Sequence, residues 1–224
     1  MARISANKLG EFLVTSNPVR RRRIISDQKN PNGAAVPRYR LAMDPIDTYL
    51  QSGGVEANAV LTVIDQLRNQ EGGSDWVLDD RKNTAEALDC FLDLSSRLPL
   101  DDVEYLRGDT DPPKLSISGV DVSVRPDFLI FFQRRGVQCV GAVKFHFIKS
   151  EESALEQRGS EYVATLLQRW LNIHGPRNKR PMHTHCFSVD VFRGTIVAAP
   201  GSFVRRMAEM EAACEEIAAR WPSI

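Results

Sequence analysis

The chain has 224 residues, 42% hydrophobic and 26% charged, with 29 Lys and Arg balancing 29 Asp and Glu. That composition fits a globular protein with a core that needs no staples, and it excludes a polycation whose whole surface binds nucleic acid. No run approaches the roughly 18 apolar residues of a membrane span. The N-terminus is polar and lacks an apolar signal segment, and the four cysteines (Cys90, Cys139, Cys186, Cys214) stand apart, so no membrane, buried free thiols and a cytoplasmic location are expected.

In chain order, Ile4 to Ser16 reads as a short helix with Leu9, Phe12 and Leu13 on one face. Between Pro18 and Arg40 lie Arg20, Arg21, Arg22, Arg23, Lys29, Arg38 and Arg40 against Asp27 alone. Such a segment either neutralises phosphates or forms a solvated or internally docked basic helix end. Asn30-Pro31-Asn32-Gly33 marks a turn, and Pro45 suits the first position of a helix that stops at Gly53-Gly54. Glu56 to Asn69 carries Val60, Leu61, Ile64 and Leu67 on one stripe. The Glu71-Gly72-Gly73-Ser74 break divides an N-terminal helical extension, residues 1–74, from an α/β part, residues 75–224.

Asn83 to Leu98 reads as a helix, with Asn83 and Glu86 at capping-box spacing. Asp101 to Pro113 is acidic and loop-like, and Lys114 to Val124 fits a hairpin about Gly119. Asp127 to Phe132 and Cys139 to Ile148 read as strands joined at Arg134-Arg135-Gly136. Ser150 caps a long helix to Ile173, Cys186 to Phe192 and Thr195 to Ala199 are strands, and Ser202 caps a last helix reaching almost to Trp221. The fold class is therefore α/β, a small central mixed sheet flanked by helices.

Alternation puts Val143, Phe145 and Phe147 on one face of their strand and Ala142, Lys144 and His146 on the other. A lysine in so apolar a strand needs a partner. Asp127, on the neighbouring strand, is the candidate, either as a structural ion pair or as part of a metal-assisted phosphodiester site.

Arg125-Pro126-Asp127 followed by Gly141-Ala142-Val143-Lys144 resembles the PD-(D/E)XK nuclease superfamily over roughly Asn83 to Pro200. The resemblance implies a restriction-endonuclease-like core that hydrolyses DNA with Mg²⁺ or Mn²⁺, and it is compatible with a homodimer. By resemblance Asp127 is a metal ligand and Lys144 positions water or stabilises phosphate charge. Glu86 matches an additional metal-binding acid, its alternative role being the cap. Ala142 departs from the pattern, because the second acid belongs there. Some members keep a small residue at that point and bring the carboxylate from the following helix.

Stepping about 100° per residue along Ser150 to Ile173 clusters Leu155, Tyr162, Val163, Leu166, Leu167, Trp170 and Leu171, with Gly159, Glu152 and Glu156 inside the same arc. Glu156 is the first choice for a migrated ligand, Glu152 the second, and Glu161 faces solvent. The catalytic set is then Asp127, Lys144 and Glu156, and the metal set Asp127, Glu156 and Glu86. Arg20 to Arg23 are the candidate nucleic-acid contacts. The rival reading is a catalytically silent nuclease-like fold that binds nucleic acid or assembles with protein. His183-x-His185-Cys186 alternates faces and so does not converge on zinc, and neither Cys139 nor Cys186 has the local pattern of a thiol nucleophile.

Overall fold

The expected helix at Ile4 to Ser16 is present, but a short strand precedes it and takes its first two residues. Ala2–Ser5 (β1) alternates, burying Ala2 and Ile4, and runs parallel to Val120–Ser123. Ser5 then caps helix Ala6–Val14 (α1), its hydroxyl accepting from the Lys8 amide. Asn17 caps Pro18–Lys29 (α2) through bonds from the Val19 and Arg20 amides, with Pro18 at the start where no N–H partner is needed. The computed structural model describes residues 1–31 and 38–224; Asn32 and Gly33 of the expected turn lie outside them.

Met43–Gln51 (α3) takes Pro45 as its third residue, and Ala57–Asn69 (α4) follows. The next helix, Asp75–Ser95 (α5), begins eight residues before the sequence suggests, because the Ser74 hydroxyl accepts from the Val77 amide and provides the cap. Asn83 and Glu86 are mid-helix residues, so the capping box does not form. The segment read as an acidic loop contains a strand, Val103–Arg107 (β2), whose Tyr105 is buried and donates to the Pro99 carbonyl at 2.9 Å. Leu115–Ile117 (β3) and Val120–Ser123 (β4) form the hairpin about Gly119.

Phe128–Arg134 (β5), Val137–His146 (β6), Arg180–Asp190 (β7) and Thr195–Ala198 (β8) complete a five-stranded sheet of order β2-β5-β6-β7-β8. Only the β6–β7 pair is parallel, and its crossover is helix Glu156–His174 (α6). The hairpin pairs with β1 in a separate three-stranded sheet, so the strand beside β5 is β2. Val204–Arg220 (α7) closes the chain without a side-chain cap from Ser202.

The architecture is mixed α/β, two mixed sheets flanked by helices. One face of the larger sheet, with Phe128, Ile130, Val143 and Phe145, packs against α3, α4 and α5. The other, with Val140, Ala142 and Cys186, packs against α6 in a cluster that also takes Leu9 and Phe12 of α1, Ile24 and Ile25 of α2 and Cys214 of α7. Residues 1–74 thus contribute to both apolar clusters rather than standing apart as an extension. Two glycines fix where α1 crosses α6: a Cβ on Gly10 would lie 3.0 Å from the Gly159 carbonyl oxygen. The small residue in the α6 arc therefore serves contact with α1, not with the sheet.

Candidate functional site

Asp127 stands at the entry to β5, and its backbone is held from two sides. Its N–H donates to the Val143 carbonyl at 2.8 Å, and its own carbonyl accepts from the Gly108 amide at 2.9 Å. The second contact requires glycine, because a Cβ at residue 108 would sit 2.1 Å from the Pro126 carbonyl oxygen. Both carboxylate oxygens are engaged. Oδ1 accepts from Lys144 Nζ at 2.7 Å, and Oδ2 accepts from the Phe145 amide at 2.7 Å. The two side chains are only 18% and 21% exposed, so each helps to offset the desolvation of the other.

Lys144 lies between two clefts and lines both, as does Arg125. The larger has a volume of about 930 Å³ and brings Arg40, Arg81 and Arg107 to the same space as the Asp127–Lys144 pair. The smaller, about 430 Å³, adds Arg3 and Lys114 beside β1 and the start of α1. The seven cations come from seven separate elements or loops, and several are held by neighbours. Arg107 is 2.9 Å from Asp44 and 3.4 Å from Asp47, while Arg81 donates to the carbonyls of Gln70 and Gly72. Arg125 is 3.7 Å from Asp111 and otherwise exposed.

The other acids expected at the site are placed elsewhere. Glu86 pairs with Lys149 at 2.5 Å, and that ammonium also reaches Asn83 Oδ1 and lies 5.2 Å from the centre of the Phe192 ring. Glu152 belongs to a short 3-10 turn, and Ala154 after it is extended, so the wheel drawn from Ser150 loses its phase before the helix starts. Glu156 opens α6 with φ of 50° and is exposed, and neither it nor Glu152 lines the clefts beside Asp127. Ala142 is fully buried in the apolar cluster beneath α6. Among the described residues no group of three or more His, Cys, Asp or Glu side chains gathers to hold a metal ion. A divalent metal therefore does not fit: Asp127 already accepts two hydrogen bonds, and Asp127, Glu156 and Glu86 do not converge.

The basic run divides. Arg20 pairs with the buried carboxylate of Glu11 and donates to the Ser153 hydroxyl at 3.0 Å. Arg21 reaches Glu216 at 2.5 Å and stacks 4.1 Å from the centre of the Phe12 ring. Both dock against acids of this chain, whereas Arg22 and Arg23 are exposed.

Of the histidines, His146 is buried, with Nε2 2.7 Å from the Ser188 hydroxyl and Nδ1 unpartnered. Burial, aided by the Lys144 charge, pushes its pKa down to about 3. His183 Nδ1 lies 3.0 Å from the Ala199 carbonyl, and His185 stacks on Phe132. Burial pushes the Cys186 and Cys214 thiols up to about 12, which makes them packing groups rather than nucleophiles.

Arg81, Arg107 and Trp76 were not legible as site residues. Arg107 could have been found from the alternation Val103-Glu104-Tyr105-Leu106-Arg107, which carries it beside Asp127 once read as a strand. No helix is long and apolar enough to cross a membrane among the described residues. No family model matches the chain, and no curated protein sequence matches it significantly.

Proposed function

We propose that the chain is a nuclease-like fold that binds nucleic acid through the two clefts at Lys144, and that it does so in the cytoplasm without metal-dependent cleavage. The observation that carries this reading is that Arg40, Arg81, Arg107, Arg125 and Lys144 line one concave space, where they outnumber Asp44, Asp80, Asp109 and Asp127, and that Arg3 and Lys114 line the adjoining cleft with Asp121. Cations from separated elements facing one groove suit a polyanion whose charges repeat along its length. The larger sheet and its crossover take the order α5, β2, β5, β6, α6, β7 once the β3–β4 hairpin is set aside, with Asp127 leading into β5 and Lys144 on the paired β6, and this supports the nuclease-like part of the reading. The four free thiols accord with a reducing compartment.

The test is equilibrium binding of a labelled DNA oligonucleotide across a salt series. Affinity should fall steeply between low and physiological salt, and Arg107→Ala and Arg125→Ala should each flatten the logarithmic salt slope by about one contact's worth. Salt-independent binding, or slopes unmoved by both variants, refutes the reading.

Metal-dependent cleavage is the second reading. Its favouring observation is that Asp127 and Lys144 pair in the lining of the larger cleft. Incubation of DNA with Mg²⁺ or Mn²⁺ decides between them: cleavage by the parent that is lost in Asp127→Ala establishes the nuclease.

A further inference from the structure

Trp76 is the second residue of α5, and it stands in the wall of the larger cleft with 38% of its surface exposed. Leu41, 48% exposed in the turn before α3, and Met43, the first residue of α3, line the same cleft. A single exposed apolar side chain is ordinary on a protein surface. These differ by position, since they share one cavity with Arg81, Arg107 and Lys144.

The cleft thus offers aromatic and aliphatic groups and a small excess of cations, Arg40, Arg81, Arg107, Arg125 and Lys144 against Asp44, Asp80, Asp109 and Asp127, to the same occupant. A nucleotide with an exposed base matches both, the ring offering a flat apolar face and the phosphate a charge. In a duplex each base face is covered by its neighbours, so Trp76 could stack only on a base that is unpaired. The volume of about 930 Å³ lies in the range of pockets that enclose small ligands, which suits one or two unstacked nucleotides. The smaller cleft shares Arg125 and Lys144 with the larger and adds Arg3 and Lys114, so the cationic track continues past a single nucleotide. Stacking platforms combined with a charged groove are the physical basis of sequence-tolerant single-strand binding.

We infer that the occupant of the clefts is single-stranded nucleic acid, with an unpaired base stacked on Trp76 and successive phosphates on Arg107, Lys144 and Arg125. This rests on the nucleic-acid-binding reading above and specifies the strand it takes.

The experiment compares three ligands on the full chain at fixed salt: a labelled single-stranded oligonucleotide, the corresponding duplex, and a free nucleoside monophosphate. The single strand should bind at least tenfold more tightly than either of the others. Trp76→Ala should weaken single-strand binding by about tenfold or more, and Trp76→Phe should retain most of it. Circular dichroism on both variants confirms that the exposed substitution leaves the fold intact. Duplex binding equal to that of the single strand, or single-strand affinity unchanged in Trp76→Ala, overturns the inference while leaving the binding reading standing. A monophosphate that binds as tightly as the strand also overturns it, marking the cleft as a mononucleotide site. If none of the three binds, the failure belongs to the binding reading itself.

Discussion

Asp127 and Lys144 neutralise each other across the β5–β6 pair, with 2.7 Å between Oδ1 and Nζ, while the other carboxylate oxygen holds the Phe145 amide. Asp127 therefore has a structural function whatever else the cleft does. Asp127→Ala removes two acceptors and leaves a half-buried ammonium without its counter-charge. It should cost about 1–3 kcal/mol in urea unfolding at neutral pH. Adding Lys144→Met to that variant should recover part of the loss, because the unpaired charge is then gone. Equal stability of Asp127→Ala and the parent would show that the pair is not an energetic contact.

The buried position of Ala142 gives a second prediction. Restoring the acid of the nuclease pattern by Ala142→Glu inserts a carboxylate at a fully buried position opposite Cys186, inside the apolar cluster beneath α6. The variant should lose about 3 kcal/mol or more and unfold at a clearly lower temperature. If it is as stable as the parent and acquires Mg²⁺-dependent cleavage, the cleft extends to residue 142 and the chain is a nuclease short of one ligand.

These two residues also show what the sequence could and could not convey. Period-two alternation in Gly141 to Phe147 fixed which side chains share a face, and the lone lysine announced its need for an acid. Both readings depend only on local geometry and on the cost of burying charge, and both agree with the structure. The long-range choices were not local. Glu152 fell inside the apolar arc only on the assumption that the helix starts at Ser150, and Glu156, the first residue of α6, takes a φ of 50° rather than a helical value. The chain instead makes a 3-10 turn and an extended residue before α6 begins.

Arg20 illustrates the same limit from the charge side. Four consecutive arginines look alike in sequence, but a helix distributes them around its axis at about 100° each. The two that face α1 and α7 meet Glu11 and Glu216, acids nine and 195 positions away. β2 was hidden because acidic residues and prolines flank a strand of only five residues. The cleft cation Arg81 gave no signal until α5 was placed beside β5, and Arg107 gave one only through the alternation of β2.

Acid should weaken the fold through His146. Its ordinary pKa of 6.5 falls to about 3 in the folded chain, because burial and then the Lys144 charge oppose protonation. Between those values the unfolded chain binds a proton that the folded chain does not, so stability declines as pH falls through that window. The contribution to the slope reaches about 1.4 kcal/mol per pH unit where the difference is a full proton. His146→Gln keeps a partner for Ser188 but cannot titrate. Its stability should fall less steeply than the parent's between pH 6 and pH 4, whatever its absolute value, by chemical denaturation at each pH. Identical slopes refute the assignment.

The last prediction separates the two halves of the basic run. Glu11 is 2% exposed and depends on Arg20 and Lys8 for its counter-charge. Arg20→Met should therefore destabilise the chain by about 1–3 kcal/mol, since it leaves the buried carboxylate with Lys8 as its remaining cationic partner. Arg22→Ala and Arg23→Ala remove exposed side chains, and each should change stability by less than about 0.5 kcal/mol. Nucleic-acid affinity supplies the complementary measurement. If the clefts hold the strand, a chain with Arg22 and Arg23 both replaced by alanine binds with nearly the parental salt slope, whereas Arg107→Ala does not. A slope that collapses only in the Arg22 and Arg23 double variant moves the interface from the clefts to the exposed side of α2.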